Sequence, residues 1–186
     1  MSSIPKNFIF MKVGNHAGED WDAILKRKRK ELVDSGKIFW GYGGTSCHPI
    51  NQVQPFARLT LKEQGQIGLI MESIDSHAGS IEVKAQEYSS DGITWEPIPD
   101  GILVTGSRYA LILGKIEPID LEVNLADFEV GVGPSRGKIA DEYLKGRIDK
   151  ACLKRRESGL VEIEPKIHKI SFTANLIDPF AVLLRT

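Results

Sequence analysis

The feature that most constrains this chain is a series of short apolar segments between Gln66 and Val130, broken repeatedly by turn residues. Gln66 to Ile74, Ser80 to Glu87, Ile93 to Ile98, Gly101 to Thr105, Tyr109 to Ile116 and Leu121 to Val130 are each of strand length. Gly, Pro, Asp and Ser separate them at Asp75 to Gly79, Ser89 to Gly92, Pro97 to Gly101 and Ile116 to Asp120. Ile81, Val83 and Ala85 alternate with Glu82, Lys84 and Gln86, the period of a strand with one buried and one wet face. The first two segments, joined by Asp75 to Gly79, suit a hairpin. Strands at this spacing leave no room for crossover helices, so they predict an antiparallel sheet or barrel with helices grouped outside it.

Helical signals flank that block. From Glu19 to Ser35, Trp21, Leu25 and Leu32 recur near helical spacing, Glu19, Asp20 and Asp22 favour the positive end of a helix dipole, and Gly36 is a stop signal. Pro55 is tolerated in a first turn, so Pro55 to Lys62 predicts a short helix ended by Gly65. Ile139 to Glu157 predicts a second long helix. Asn7 to Val13, Lys37 to Tyr42, Val161 to Ala174 and Phe180 to Leu184 predict further strands. The expectation is one α+β domain over residues 1–186: an antiparallel barrel-like β-sheet with two long helices and one short helix packed outside it. Residues 7–130 form its core, and 131–186 add a helix and terminal strands.

With 186 residues, 41% of them hydrophobic, the chain has enough apolar surface to bury a core without metal or disulfides. No apolar run approaches the roughly 20 residues of a membrane helix, and the apolar block in MSSIPKNFIFMK is too short for a signal peptide. A soluble, cytoplasmic protein with reduced thiols is expected, since Cys47 and Cys152 lie far apart without CxxC spacing. The net charge of -1 conceals segregation: residues 1–60 carry +4, residues 61–130 carry -9 and residues 131–186 carry +4. The basic excess sits in KRKRK, Lys26 to Lys30, and in Lys145 to Arg156, which predicts an acidic sheet between basic helices. Such runs serve as solvated faces, phosphate contacts or protein docking surfaces.

Four constellations bear chemistry. FWGYGGTSCHP, Phe39 to Pro49, joins aromatic residues to glycines. Trp40 and Tyr42 share a strand face as stacking platforms, while Gly41, Gly43 and Gly44 allow close backbone approach, unless the aromatics fill the core and the glycines only turn the chain. Cys47 and His48 are adjacent, but neighbours on an extended chain point apart, so His48 is poorly placed to activate the thiol. Cys47, His48, His16, His77, Cys152 and His168 lack the spacing of a zinc site. Asp75 followed by Glu82 and Lys84 resembles the carboxylate and lysine set of PD-(D/E)xK nucleases. That alternative implies Mg²⁺ held by two carboxylates, the only cofactor expected under any reading. GVGPSRGK, Gly131 to Lys138, fails as a Walker A loop because Val132 replaces the first glycine and Ile139 follows Lys138. Ser135, Arg136 and Lys138 beside free backbone N–H groups still suit an anion.

The order of elements resembles the PUA-like superfamily, in particular its YTH and EVE branches, through FIFMK, SGKIFWG with Trp40, QIGLIMESIDSHAGSIEVKAQEY and Trp95. The resemblance spans residues 7–130 and implies a small β-barrel that holds a modified base between Trp40 and Trp95, with Asn51 or Thr45 at the base edge. Stacking on such walls contributes about 1 to 3 kcal/mol per base. The acidic middle segment departs from a polynucleotide grip, which needs cations. The expected function is a non-catalytic binding domain for a planar nucleotide-like ligand or nucleic acid. Its residues are Trp40, Gly41, Tyr42, Gly43, Gly44, Thr45, Asn51 and Trp95, with Ser135, Arg136 and Lys138 for an anion. The alternatives are the Asp75, Glu82, Lys84 phosphodiesterase and a protein-interaction module using the basic helices.

Overall fold

The computed structural model describes residues 3–16, 19–78, 83–157 and 162–186, with the side chains at 15–16 and 76–78 outside that description. Along the chain run β1 (Asn7–His16), α1 (Trp21–Ser35), β2 (Ile38–Gly41), α2 (Ile50–Gln64), β3 (Gly68–Ala78), β4 (Glu87–Ser89) and β5 (Glu96–Pro97). Then follow β6 (Tyr109–Asn124), β7 (Phe128–Val130), α3 (Ala140–Tyr143), β8 (Lys150–Arg155) and β9 (Ile167–Arg185). The fold is mixed α/β, with helices beside one large sheet of order β2-β6-β9-β3-β1-β8-β7; β4 joins β9 and carries β5. Every pairing is antiparallel except β1 with β3. The sheet does not close: β2 and β7 end the path, and no described pairing joins them into the expected barrel.

α1 forms where its signals place it. Asp20 caps it by accepting from Ala23 N at 2.8 Å, and Gly36 ends it at φ 73°, a left-handed conformation open to glycine. α2 is longer than expected, because it starts at Ile50 and carries Pro55 inside it. Proline there cannot donate to the preceding turn. The helix is held instead by its inner face, where Val53, Ala57 and Thr60 are buried, and ends at Gly65 with φ 76°.

Three expectations fail for one reason, namely that pairing partners distant in sequence override local pattern. The predicted helix from Ile139 to Glu157 is four helical residues, α3, followed by the strand β8. Lys150 to Lys154 pair with β1, and Leu153 to Arg155 with β7, so Ala151, Cys152 and Leu153 are all buried. The second basic stretch is therefore in the sheet from Lys150 to Arg155. The hairpin expected after β3 is replaced by long-range pairs: β3 lies between β1 and β9, while Glu82 and its neighbours 79–81 fall outside the described residues. The turn expected at Ile116 to Asp120 is an irregularity within β6, which pairs with β9 along its length.

Side-chain alternation on these strands divides the core. Ile9, Leu69, Met71 and Leu111 face Ile24, Leu25, Val53 and Ala57 of the long helices. Phe8, Phe10, Ile70 and Leu153 face the other way, onto Phe128, Ala140 and Leu144. A third group, Phe39, Ile112, Val182 and Leu184, is covered by Ala85, Ile102 and Val104.

Candidate functional site

The aromatic platforms expected at Trp40 and Tyr42 belong to the core. Trp40 is 5% exposed and its indole N–H points to Met11 Sδ at 3.3 Å; Tyr42 is 1% exposed, with its hydroxyl 3.5 Å from Phe10 O. Trp95 lies elsewhere, with the Arg185 guanidinium 4.2 Å from its ring centroid, and it makes no ring contact with Trp40. The two walls implied by the resemblance are not brought together.

The glycines have distinct tasks. A Cβ on Gly41 would meet Ser107 Oγ at 2.5 Å, and one on Gly43 would fall within the Tyr109 ring. Gly43 thus lets Tyr109 lie flat against the backbone, where its hydroxyl donates to His48 O at 2.5 Å. Burial and the neighbouring Cys47 raise the titration of that hydroxyl, so it remains a donor. Gly44 N donates to Cys47 Sγ at 3.0 Å, closing a small turn at the surface. Gly44, Thr45 and Asn51 are exposed.

This loop delivers His48 to the start of α2. The imidazole is 5% exposed and stacks on Tyr143 of α3, with centroids 5.7 Å apart and planes 6° from parallel. No hydrogen bond joins it to Cys47, whose thiol is engaged with Gly44 and lies 3.9 Å from Tyr109 Oη. Gln52, one turn into α2, packs against Gly133, where a Cβ would meet Gln52 Oε1 at 2.7 Å. Phe56 likewise packs on Gly131. The two glycine-bearing loops singled out in the sequence, 41–49 and 131–138, therefore flank the same helix start.

Two polar atoms at this seam are sealed from solvent without a hydrogen-bond partner, His48 Nε2 and Gln52 Oε1. Orphaned buried polar atoms are few in native folds, and each calls for a missing water, ion or ligand. Desolvation lowers the titration of His48, so the ring is neutral at neutral pH. On the rim, Ser135 is half-buried, and Arg136 and Lys138 are exposed. Their loop is closed by Arg136 N to Gly133 O at 3.1 Å and Lys138 N to Ser135 O at 3.0 Å. α3 is too short to add a helix dipole, so the cationic side chains alone would attract an anion there.

The carboxylate alternative gains nothing comparable. Asp75 is exposed near the end of β3, Lys84 is exposed and bridges Thr105, and Glu82 lies outside the described residues. Among the described residues no group of three or more His, Cys, Asp or Glu side chains converges as a metal site. A titratable cluster that sequence reasoning missed joins three elements: His168 Nδ1 lies 2.8 Å from Glu72 Oε2 and its Nε2 lies 3.2 Å from Asp141 Oδ1. Both ring nitrogens are occupied by structural partners, which leaves neither for proton transfer to a substrate. Its effect is to tie α3, and with it Tyr143, to the sheet.

Comparison with protein-family models, curated proteins and solved structures gives no match.

Proposed function

We propose that this chain is a non-catalytic binding domain for a planar, nucleotide-like ligand, held at the seam between the start of α2 and the segment 131–143. The observation that carries the reading is the pair of buried, unpartnered polar atoms, His48 Nε2, whose ring stacks on Tyr143, and Gln52 Oε1, which packs at Gly133. Leaving such groups unsatisfied costs about 1 to 3 kcal/mol each, a cost that a bound ligand removes. Tyr143 and His48 supply flat surface, Thr45 and Asn51 are exposed on either side of His48 in the chain, and Ser135, Arg136 and Lys138 offer a phosphate a place outside the buried atoms. Gly43 and Tyr109 hold the loop that carries His48 in position. Trp40 and Tyr42 support this site from the core.

The PUA-like resemblance enters this proposal as a ligand class only, a base or modified base, because the open sheet path departs from the closed barrel of those domains. A free nucleoside or nucleotide suits the seam better than a polymer, since residues 61–130 carry a net charge of -9 and phosphate neutralisation dominates polymer affinity. Isothermal calorimetry with nucleosides, nucleoside monophosphates and short oligonucleotides tests the reading. Saturable binding that weakens at least about tenfold in Tyr143→Ala supports it. Absence of binding by all three ligand classes, in a chain shown to be folded, overturns it.

A further inference from the structure

We infer that this chain forms a two-fold dimer, in which the basic outer face of α1 on one protomer lies against the acidic tip formed by residues 87–100 on its partner, and the reverse. The inference is independent of the seam. It concerns the part of the basic run that stays outside the core, and the segment that carries β4 and β5.

The two surfaces are opposite in sign. Between Ala85 and Ser107 the acidic side chains are Glu87, Asp91, Glu96 and Asp100, and no basic residue stands among them. Arg185 takes up Glu87, whereas Asp91, Glu96 and Asp100 are exposed. α1 turns Lys26, Arg29 and Lys30 to solvent, and Lys37 lies just beyond its end. The acids on that face are Asp22, in the first turn, and Asp34, which Lys30 takes up; Glu117, near Arg29, is taken by Lys115. Each surface also carries an exposed apolar side chain. Ile93 and Val33, 85% and 84% exposed, are the most exposed large hydrophobic residues among those described. Single exposed apolar residues are ordinary. Here one stands on each charged surface, Val33 at helical spacing from Arg29 and Lys30. Ile93 is mounted on a turn ordered in advance: Asp91 Oδ1 accepts from Ile93 N at 2.7 Å and Thr94 N at 2.8 Å, and Gly92 N donates to the buried Ser89 Oγ at 2.9 Å. Such a tip docks without the entropy cost of ordering a loop.

The two surfaces are neighbours, and this selects the occupant. Lys37 Nζ lies 5.4 Å from the centroid of the Tyr88 ring, and Tyr88 pairs in register with Glu96. Arg27 and Lys28 of α1 reach Leu103 O at 3.4 and 3.0 Å, just past Asp100. A positive and a negative area therefore lie side by side on one chain. Such a surface is complementary to itself: a two-fold rotation sets each area on its opposite, the isologous arrangement of most homodimers, and closes at two copies. A polyanion would be drawn to α1 and repelled by the tip, and a basic peptide the reverse. A second copy satisfies both.

Sedimentation velocity of the full chain over a concentration series tests the inference. The dimer is expected at low salt, with a dissociation constant that rises at least about tenfold between roughly 0.05 M and 0.5 M salt, as charges across the interface are screened. Lys26→Glu with Arg29→Glu makes both surfaces acidic, and Glu96→Lys with Asp100→Lys makes both basic. Each double variant alone should dimerise at least about tenfold more weakly, whereas their equimolar mixture should recover the parent affinity to within about threefold. Ile93→Ser should weaken the dimer about tenfold by removing buried apolar area. The substituted positions are all exposed, and circular dichroism melts show that each variant is folded. A parent chain that stays monomeric at low salt up to about 0.5 mM overturns the inference. So do oligomers that grow beyond two, charge-reversed variants that dimerise as the parent does, or a mixture no tighter than its components. None of these outcomes bears on nucleotide binding at the seam, so the two readings stand or fall separately.

Discussion

Lys28 Nζ lies 3.0 Å from each carboxylate oxygen of Glu31, and this ion pair is buried inside the most basic run of the chain. Lys28 also donates to Phe39 O at 2.6 Å and Leu103 O at 3.0 Å, while Glu31 Oε1 accepts from Leu103 N at 3.1 Å. The pair therefore fastens α1 to β2 and to the segment that precedes β6. KRKRK is not one solvated face: Lys26, Arg29 and Lys30 are exposed, Arg27 reaches Glu19, and Lys28 is internal.

Removing one partner of a buried pair leaves the other charged and dry, which typically costs 3 to 5 kcal/mol. Lys28→Met is expected to lower unfolding free energy by about that amount. Lys30, mostly exposed and paired with Asp34, makes the contrast: Lys30→Ala is expected to shift stability by less than about 0.5 kcal/mol. Urea denaturation midpoints of the two variants check this, and equal losses would mean that Lys28 is not internal.

What could be read from local pattern and what could not follows from where the stabilising partners lie. α1 was legible because its cap, its apolar stripe and its terminal glycine are all within the segment itself. β8 was not: Lys150, Lys154 and Arg155 fall at helix-like spacing, and only β1 and β7, far away in sequence, make a strand of it. Trp40 and Tyr42 were placed on one strand face as expected, but whether that face meets ligand or core is decided by α1, α2 and Tyr109. The stack of His48 on Tyr143 left no trace in either motif, because neither residue has a special neighbour to announce it. The juxtaposition of the two glycine loops was equally hidden, although each had been singled out separately.

Gly43 and Gly44 separate a packing requirement from an open surface. A Cβ at position 43 would collide with the Tyr109 ring, whereas at position 44 it would meet nothing within 4 Å. Gly43→Ala is expected to displace Tyr109, release the His48 carbonyl and cost roughly 1 to 3 kcal/mol, the scale of overpacking. Gly44→Ala should be within about 0.5 kcal/mol of the parent. Thermal unfolding of both, combined with nucleoside titration, separates them: loss of binding in Gly44→Ala with Gly43→Ala unaffected would contradict the geometry.

Gln54 holds a strained position. Its amide nitrogen donates to Ala181 O at 2.6 Å and Pro179 O at 3.2 Å, on either side of Phe180, which has φ 69° although it carries a side chain. Such a backbone persists only where surrounding contacts over-determine it. Gln54→Leu keeps bulk but removes both bonds, and the expected loss is about 1 to 3 kcal/mol. Hydrogen exchange should show the largest loss of protection around residues 179–181. A uniform change across the sheet would instead place the strain elsewhere.

His48 makes the seam sensitive to acid, and the sign follows from burial. Its titration is lowered from the ordinary 6.5 because the charged ring is desolvated. Between that lowered value and 6.5 the unfolded chain holds more protons than the folded one, so stability is lost as pH falls through this window. Binding should weaken in the same direction, because a charged ring in the dry seam adds a desolvation cost that an uncharged planar ligand does not offset. His48→Phe cannot titrate, so its melting temperature should fall less than that of the parent between about pH 7 and pH 5. The remaining titratable groups, the carboxylates and His168 among them, are common to both proteins and cancel in the comparison. Melting curves recorded side by side across that range decide the point. Parallel profiles would show that His48 is hydrated and free to protonate, and with that the dry, unpartnered nitrogen at the centre of the seam would be gone.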